Sequence, residues 1–145
     1  MAQTRMPAAG PLAPFEDGLD RPFWDGLAAG ELRIPRCGHC AAWAWPPQWR
    51  CPHCGKWELD WRPVAAAGLI YSWTRTWHAF APQMKAVTPF VTVLVELPHA
   101  GGARLLGTLV GPEEGLRIGA RATGDIQPAS AVTSDLPVMR WRISP

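Results

Sequence analysis

Apolar and polar residues alternate along the second half of the chain, in a pattern typical of β-strands. Segments rich in β-branched and aromatic residues are separated by Gly- and Pro-containing turns, such as PHAGG at 98–102. We predict five strands, over residues 68–79, 90–97, 103–110, 116–126 and 138–143. Five short strands with glycine at the bends favour a small barrel of the OB-fold type, and they fit a β-sandwich fragment less well.

The same alternation predicts which side chains face the core. In the strand at 90–97, the odd-numbered apolar residues from Val91 to Leu97 share one face. In the strand at 68–79, we expect Leu69, Tyr71 and Trp73 to share one face. Outside the N-terminal segment we identify no internal repeat and no low-complexity sequence.

A short helix is predicted near the N-terminus, in LDRPFWDGLAAGEL. Asp20 occupies an N-cap position and Pro22 the first turn. Phe23 and Leu27 have the i, i+4 spacing of one helix face, and Gly30 provides a stop.

These patterns divide the chain of 145 residues into segments that share one core. A tail rich in Ala, Pro and Gly is expected to be flexible and precedes the helical segment. Two predicted strands, ELRIPRC and WELDWRPV, then flank a cysteine-containing region. The predicted segments are a tail at 1–14, a helical segment at 15–32, a cysteine-rich ribbon at 33–64 and a barrel at 65–145.

The amino-acid composition and net charge limit the classes of function that we expect for this protein. The 48% of hydrophobic residues is enough for a sizeable core, and the 16 prolines and 14 glycines favour a loop-rich β protein. A formal net charge of +2 does not indicate nucleic acid or an anionic membrane as a partner. No apolar run approaches the ~18 residues that span a bilayer, and the N-terminal prolines interrupt any signal-peptide core. We therefore expect a cytoplasmic protein with reduced thiols.

All four cysteines lie in the stretch CGHCAAWAWPPQWRCPHC, residues 37–54. Cys37, Cys40, Cys51 and Cys54 form two C-x2-C pairs separated by ten residues, a spacing that allows four thiolates to surround one Zn²⁺. Disulfides are disfavoured in a reducing compartment, and a redox C-x2-C motif normally occurs singly at a helix start. Four thiolates leave no open coordination position, so the predicted zinc is structural.

Two further features surround the cysteines. His39 and His53 lie inside the knuckles, where we interpret them as turn residues rather than ligands. Tryptophans are concentrated in the same region, at positions 43, 45, 49, 57 and 61. Such a density favours a protein-binding face or a stacking platform, and internal packing of the ribbon is the alternative.

Motifs of a self-contained catalyst are missing from the sequence. It has no GxGxxG, Walker or G-x-S-x-G pattern, and no serine lies in a nucleophile context. His78 and His99 have no adjacent carboxylate at a recognisable spacing. We therefore expect no catalytic centre in this chain.

The order of the segments resembles the DUF35 family, a rubredoxin-like zinc ribbon fused to an OB-fold. The resemblance covers residues 15–143 and includes FWDGLAAGEL, RCGHC…CPHCG, GLIYSWTRTWH, PFVTVLVEL and LLGTLVG…LRIGARA. It implies a non-catalytic accessory subunit that forms a hetero-oligomer, a heterotetramer or larger, with a thiolase-fold catalytic subunit. That partner would be a thiolase, an aldolase or an acyltransferase that makes or breaks a C–C bond in a CoA thioester.

By this resemblance, the four cysteines bind zinc and the two subunits share the CoA thioester as ligand. The residues expected near the acyl-CoA are Trp73, Arg75, Trp77, His78, Phe80, Lys85 and Arg104, with the three cations as candidates for the CoA phosphates. The residues expected at the partner interface are Phe23, Trp24, Trp43, Trp45 and Trp49.

Two other functions fit the same modules. OB-folds and zinc ribbons both occur in proteins that bind single-stranded nucleic acid, but twelve arginines with only two lysines and a nearly balanced charge disfavour a phosphate-tracking groove. An iron-loaded redox or metal-trafficking protein is the other alternative, and the colour of the purified protein distinguishes it from a zinc protein.

Overall fold

The computed structural model describes residues 18–145. It contains one α-helix, α1 (Arg21–Ala28), and seven strands. The strands are β1 (Leu32–Cys37), β2 (Leu59–Val64), β3 (Ala67–Thr76), β4 (Phe90–Leu97), β5 (Ala103–Leu109), β6 (Arg121–Gln127) and β7 (Val138–Ile143). The tail predicted at 1–14 lies outside the described residues, as do the first residues of the predicted helical segment.

Helix α1 begins and ends where the sequence indicates. Asp20 is the N-cap residue, but its side chain does not bond to the backbone of the first turn; one carboxylate oxygen accepts a hydrogen bond from Trp24 Nε1 at 2.9 Å instead. At the C-terminal end, Gly30 has a left-handed φ of 80°, and the Glu31 amide donates to the Gly26 carbonyl at 2.8 Å. This closure satisfies a terminal carbonyl of the helix.

Strands β3 to β7 form a closed barrel in the order β3-β4-β5-β7-β6. All pairs are antiparallel except β5 with β7, which are parallel. The mainly β class, the short helix and the five-stranded OB-fold barrel are therefore as predicted from the sequence. Strands β1 and β2 form a separate two-stranded antiparallel sheet that flanks the cysteines.

The barrel core follows the strand alternation in β4. Its four odd-numbered apolar residues, from Val91 to Leu97, are all almost fully buried. Trp141 of β7 is fully buried among them, between Gly107 and Gly124, where a Cβ would lie within 3.0 Å of the indole. The two glycines therefore make room for the largest side chain of the core.

Two sequence predictions about the barrel are wrong. A β-bulge at Tyr71 shifts the register of β3, so that Leu69 pairs with Glu96 while Trp73 pairs with Val93 on the opposite face. Leu69 and Trp73 therefore do not share a face. In addition, β6 starts at Arg121 instead of 116, because Gly119 has a φ of 83° and belongs to a turn.

Candidate metal centre and surrounding aromatic surface

Two short turns bring the four cysteines together. The first turn follows β1, and the Cys37 carbonyl accepts a hydrogen bond from the Ala41 amide at 3.0 Å. In the second, the Cys51 carbonyl accepts one from Gly55 at 2.9 Å. Ala41 and Gly55 both have left-handed φ angles, 61° and 72°. Each turn thus folds its two thiols toward the same point.

The thiol geometry fits one tetrahedral metal ion. Cys37 Sγ lies 3.6 Å from Cys54 Sγ, and Cys40 Sγ lies 3.6 Å from Cys51 Sγ. All four sulfurs are within 4.8 Å of one another. A tetrahedral Zn²⁺ with Zn–S bonds of about 2.3 Å places its sulfurs about 3.8 Å apart. The donor set and its spacing therefore suit Zn²⁺.

The pKa values of Cys51 and Cys54 are shifted in opposite directions. Hydrogen bonds from the backbone amides of Cys54 and His53 lower the pKa of Cys51 to about 7, although desolvation of the thiol acts to raise it. The Lys56 amide acts to lower the pKa of Cys54, but desolvation and the other three thiols outweigh it and raise that pKa to about 12. Four thiols so close cannot all ionise without a cation, so metal binding must displace protons.

The two metal-binding turns are copies of one motif, so the expectation that the chain has no internal repeat is wrong. Residues 36–43 read RCGHCAAW and residues 50–57 read RCPHCGKW, a repeat of R-C-x-H-C-x-x-W fourteen positions apart. Arg36 Nε donates to the Ala41 carbonyl and Arg50 Nε to the Gly55 carbonyl, each at 2.9 Å. The signal was present in the sequence as the flanking Arg and Trp of each C-x-H-C.

In each copy, the arginine also stacks on the tryptophan. Arg36 Cζ lies 5.2 Å from the ring centroid of Trp43, and Arg50 Cζ lies 5.3 Å from that of Trp57. The environments of the two indoles differ: Trp43 packs against the barrel core, whereas Trp57 is 69% exposed. One half of the ribbon is thus docked on the barrel and the other half faces outward.

The residues predicted at a partner interface fall into two groups. Phe23, Trp24, Trp43 and Trp45 are half-buried and pack against the core cluster. The Trp45 indole N–H also donates to the Arg104 carbonyl at 2.9 Å, which ties the ribbon to β5. Trp49, in contrast, is 53% exposed. Four of the five aromatic residues therefore have an internal packing role as well as an exposed edge.

The cations predicted near a ligand do not converge. Arg75 forms an ion pair with Glu113 and stacks on Trp77. Arg104 pairs with Glu96 at 2.8 Å and lies over the Tyr71 ring.

Glu96 lies five residues along β4 from Val91, the cross-strand neighbour of Arg75. At ~3.4 Å per residue this places the backbone positions of Arg75 and Arg104 ~17 Å apart along the sheet. One phosphate group therefore cannot contact both Arg75 and Arg104.

The remaining predicted ligand residues lie on and beyond the end of β3. Trp77 is 72% exposed and Phe80 is 80% exposed, and the His78 ring contacts the Phe80 ring edge-on at a centroid distance of 5.0 Å. Trp73 is also exposed. Lys85 directly follows the 3-10 turn Pro82–Met84 and forms no ion pair with residues 18–145. The contacts among these residues are His78 with Phe80, and Arg75 with Trp77 at 5.5 Å from Cζ to the ring centroid.

The fold and the four-cysteine site define a rubredoxin-like zinc ribbon joined to an OB-fold. Family models bear this out: "ChsH2, rubredoxin-like zinc ribbon domain" matches residues 24–59, and "ChsH2, C-terminal OB-fold domain" matches residues 61–127. The chain belongs to the DUF35 family.

Solved structures agree with this assignment. A chain of the "Ltp2-ChsH2(DUF35) aldolase" is 30% identical, with a TM-score of 0.74, and the match covers 86% of this chain and 93% of that one. A DUF35 protein of unknown function from Sulfolobus solfataricus shares the fold at 19% identity and a TM-score of 0.59, over 86% of this chain and 84% of that one. A search of the curated proteins found no match.

Proposed function

We propose that this protein is a non-catalytic accessory subunit of an aldolase-type complex. The observation that carries the proposal is the likeness to a chain of the Ltp2-ChsH2(DUF35) aldolase, which extends over 93% of that chain at 30% identity. A likeness along both modules supports a shared mode of assembly, because the ribbon and the barrel must keep the same relative placement to present the same surface.

We further propose that the catalytic partner has a thiolase fold and acts on an acyl-CoA, as the family resemblance implies. The partner would supply the nucleophile and the oxyanion hole for C–C bond cleavage or formation. This chain would exclude water and extend the channel around the pantetheine arm. The exposed rings of Trp77, His78 and Phe80 suit contact with an apolar acyl group, and Lys85 is available for a phosphate.

Zinc has a structural role in this proposal. Bound by the four cysteines, it would hold the two turns together in a segment that has little core of its own. The ribbon then fixes Trp43 and Trp45 against the barrel and leaves Trp49 and Trp57 on the outside. Trp, Tyr and Arg are the residues most enriched at interface hot spots, so these exposed indoles suit a partner surface.

Affinity purification tests the function. The tagged chain is expressed in its native host and the co-purified proteins are identified by mass spectrometry, with the Cys51→Ala variant, which we expect not to fold, as the control. We expect a thiolase-fold catalytic subunit in near-stoichiometric amount with the wild type and none with the variant. Co-purification of nucleic acid alone would favour the single-stranded nucleic-acid alternative. In residues 18–145 no helix is long and apolar enough to cross a membrane, and the cytoplasmic location stays a prediction.

A further inference from the structure

A groove of about 400 Å³ runs between α1 and the outer face of the barrel. We call it the α1 groove. Its walls are mostly aromatic, aliphatic and sulfur-containing side chains, and one arginine stands among them. The lining residues that matter here are Phe23, Trp24, Met84, Phe90, Leu106 and Arg140.

Arg140 is a half-buried cation without a counter-ion. Its Nε donates to the neutral amide oxygen of Gln127 at 2.8 Å, and it forms no ion pair with any residue in 18–145. The nearest carboxylate in register is Asp125, directly across from Arg140 on β6, but Asp125 is paired with Arg142 at 2.7 Å.

This arrangement costs free energy in the isolated chain. Desolvation lowers the pKa of Arg140, yet a guanidinium stays charged at any physiological pH. The buried part of the guanidinium has lost hydration, and Gln127 supplies one neutral hydrogen bond in return. The remaining guanidinium N–H groups therefore suit a carboxylate from outside the described chain.

The shape of the surface favours a protein segment over a small anion. A second groove, of about 600 Å³, contains Trp45, Pro46 and Arg104 and shares Phe23, Trp24 and Leu106 with the α1 groove. Leu106 lies on the common rim and is 69% exposed. The two grooves thus form one extended apolar surface with a single uncompensated cation, which is the composition of an interface anchor.

We infer that the α1 groove receives an apolar segment of the catalytic partner that carries an aspartate or glutamate, and that this carboxylate pairs with Arg140. The inference rests on the proposed function, because it takes the occupant to be the catalytic subunit. It adds the face that docks and the chemistry that the partner must present there.

Calorimetry with the purified catalytic subunit from the affinity experiment tests the inference. The variants are Arg140→Met, which keeps an apolar stem, and Arg140→Lys, which keeps the charge. The matched control is Arg62→Met, because Arg62 is exposed on β2 and pairs with Asp60 at 3.1 Å. We expect Arg140→Met to weaken binding about 100-fold, Arg140→Lys to restore part of the loss, and Arg62→Met to bind as the wild type does.

Two further readouts separate a binding role from a structural one. The melting temperature of Arg140→Met should not fall, since the variant removes an unpaired half-buried charge. The wild-type affinity should also decrease with added salt more steeply than that of Arg140→Met.

Three results would overturn the inference. If Arg140→Met binds the partner as tightly as the wild type, the inference fails and the proposed function stands. If, in the same calorimeter, octanoate binds to the wild type and not to Arg140→Met while partner binding is insensitive to Arg140, the groove is a small-molecule site. If no thiolase-fold subunit co-purifies with the wild-type chain, the proposed function fails and the inference fails with it.

Discussion

Gly101 packs against Cβ, Cγ and Cδ1 of the Trp43 side chain. A Cβ at Gly101 would lie 2.9 Å from both Cβ and Cδ1 of Trp43, and Gly101 has a φ of 66°. This contact joins the first metal-binding turn of the ribbon to the β4–β5 turn of the barrel. It makes the orientation of the ribbon depend on a residue without a side chain.

Gly101→Ala should therefore destabilise the protein. The variant meets both a left-handed backbone and a steric clash, and we expect it to lower the free energy of unfolding by about 2–3 kcal/mol. Gly102→Ala is the control, because Gly102 is also left-handed, at 74°, but its nearest neighbouring atom is 4.0 Å away. Urea unfolding measures both; equal costs for the two variants would contradict the role given to the Trp43 contact.

The repeated R-C-x-H-C-x-x-W motif provides a matched pair of substitutions. Trp43→Ala removes an indole that packs on the barrel and should lower the free energy of unfolding by roughly 2–3 kcal/mol. Trp57→Ala removes its exposed equivalent and should change stability by less than about 0.5 kcal/mol. Thermal unfolding of the two zinc-loaded variants checks the difference. If Trp57→Ala is the more damaging of the two, the outward-facing half of the ribbon has a packing role.

Removal of one thiolate should unfold the ribbon. Cys51→Ala leaves three ligands, and because metal binding supplies the folding free energy of such a site, we expect a zinc-free, aggregated protein. His53→Ala, two residues away, should retain one zinc per chain by elemental analysis. Lowering the pH should release zinc from the wild type, since protons compete with the metal for the thiolates. A soluble, fully folded, zinc-free Cys51→Ala protein would rule out the structural role of zinc.

The barrel interior allows a double-mutant test. A Cβ at Gly107 would lie 2.5 Å from Cδ1 of Trp141, so Gly107→Ala should cost about 1–3 kcal/mol by overpacking. Within the described chain, Trp141 Nε1 is buried without a hydrogen-bond partner. Trp141→Val removes Cδ1, the rest of the indole and that N–H, so Gly107→Ala should cost much less in this background. Additive costs in denaturant unfolding would show that the two residues do not compete for the same space.

Local sequence signals predicted the parts of the fold that depend on neighbouring residues. Alternation of apolar and polar residues was enough to predict the strand at 90–97. The capping glycine predicted the end of α1, and the cysteine spacing predicted the cluster of four thiols. The bulge at Tyr71 was not predictable in this way, because it arises from the pairing of β3 with two different neighbours, β4 and β6. The alternation therefore predicted that Leu69, Tyr71 and Trp73 share one face of the strand. The bulge instead places Leu69 and Trp73 on opposite faces.

Long-range packing explains what sequence reasoning left out of the candidate site. Nothing in the local sequence of Trp43 or Trp45 distinguishes an indole that contacts the barrel from one that faces solvent. Arg140 was not singled out either, since its isolation depends on Arg142 taking the carboxylate of Asp125. Only the folded barrel shows which arginine has an acidic partner and which does not.

The mass and composition of the affinity-purified complex test the central claim most directly. Native mass spectrometry should show a hetero-oligomer with equal numbers of this 15.9 kDa chain and a thiolase-fold subunit, with one zinc per copy of this chain. The same sample should show no absorbance from nucleic acid. A homogeneous chain that forms no complex, or one that carries only oligonucleotide, would contradict the assignment as an accessory subunit.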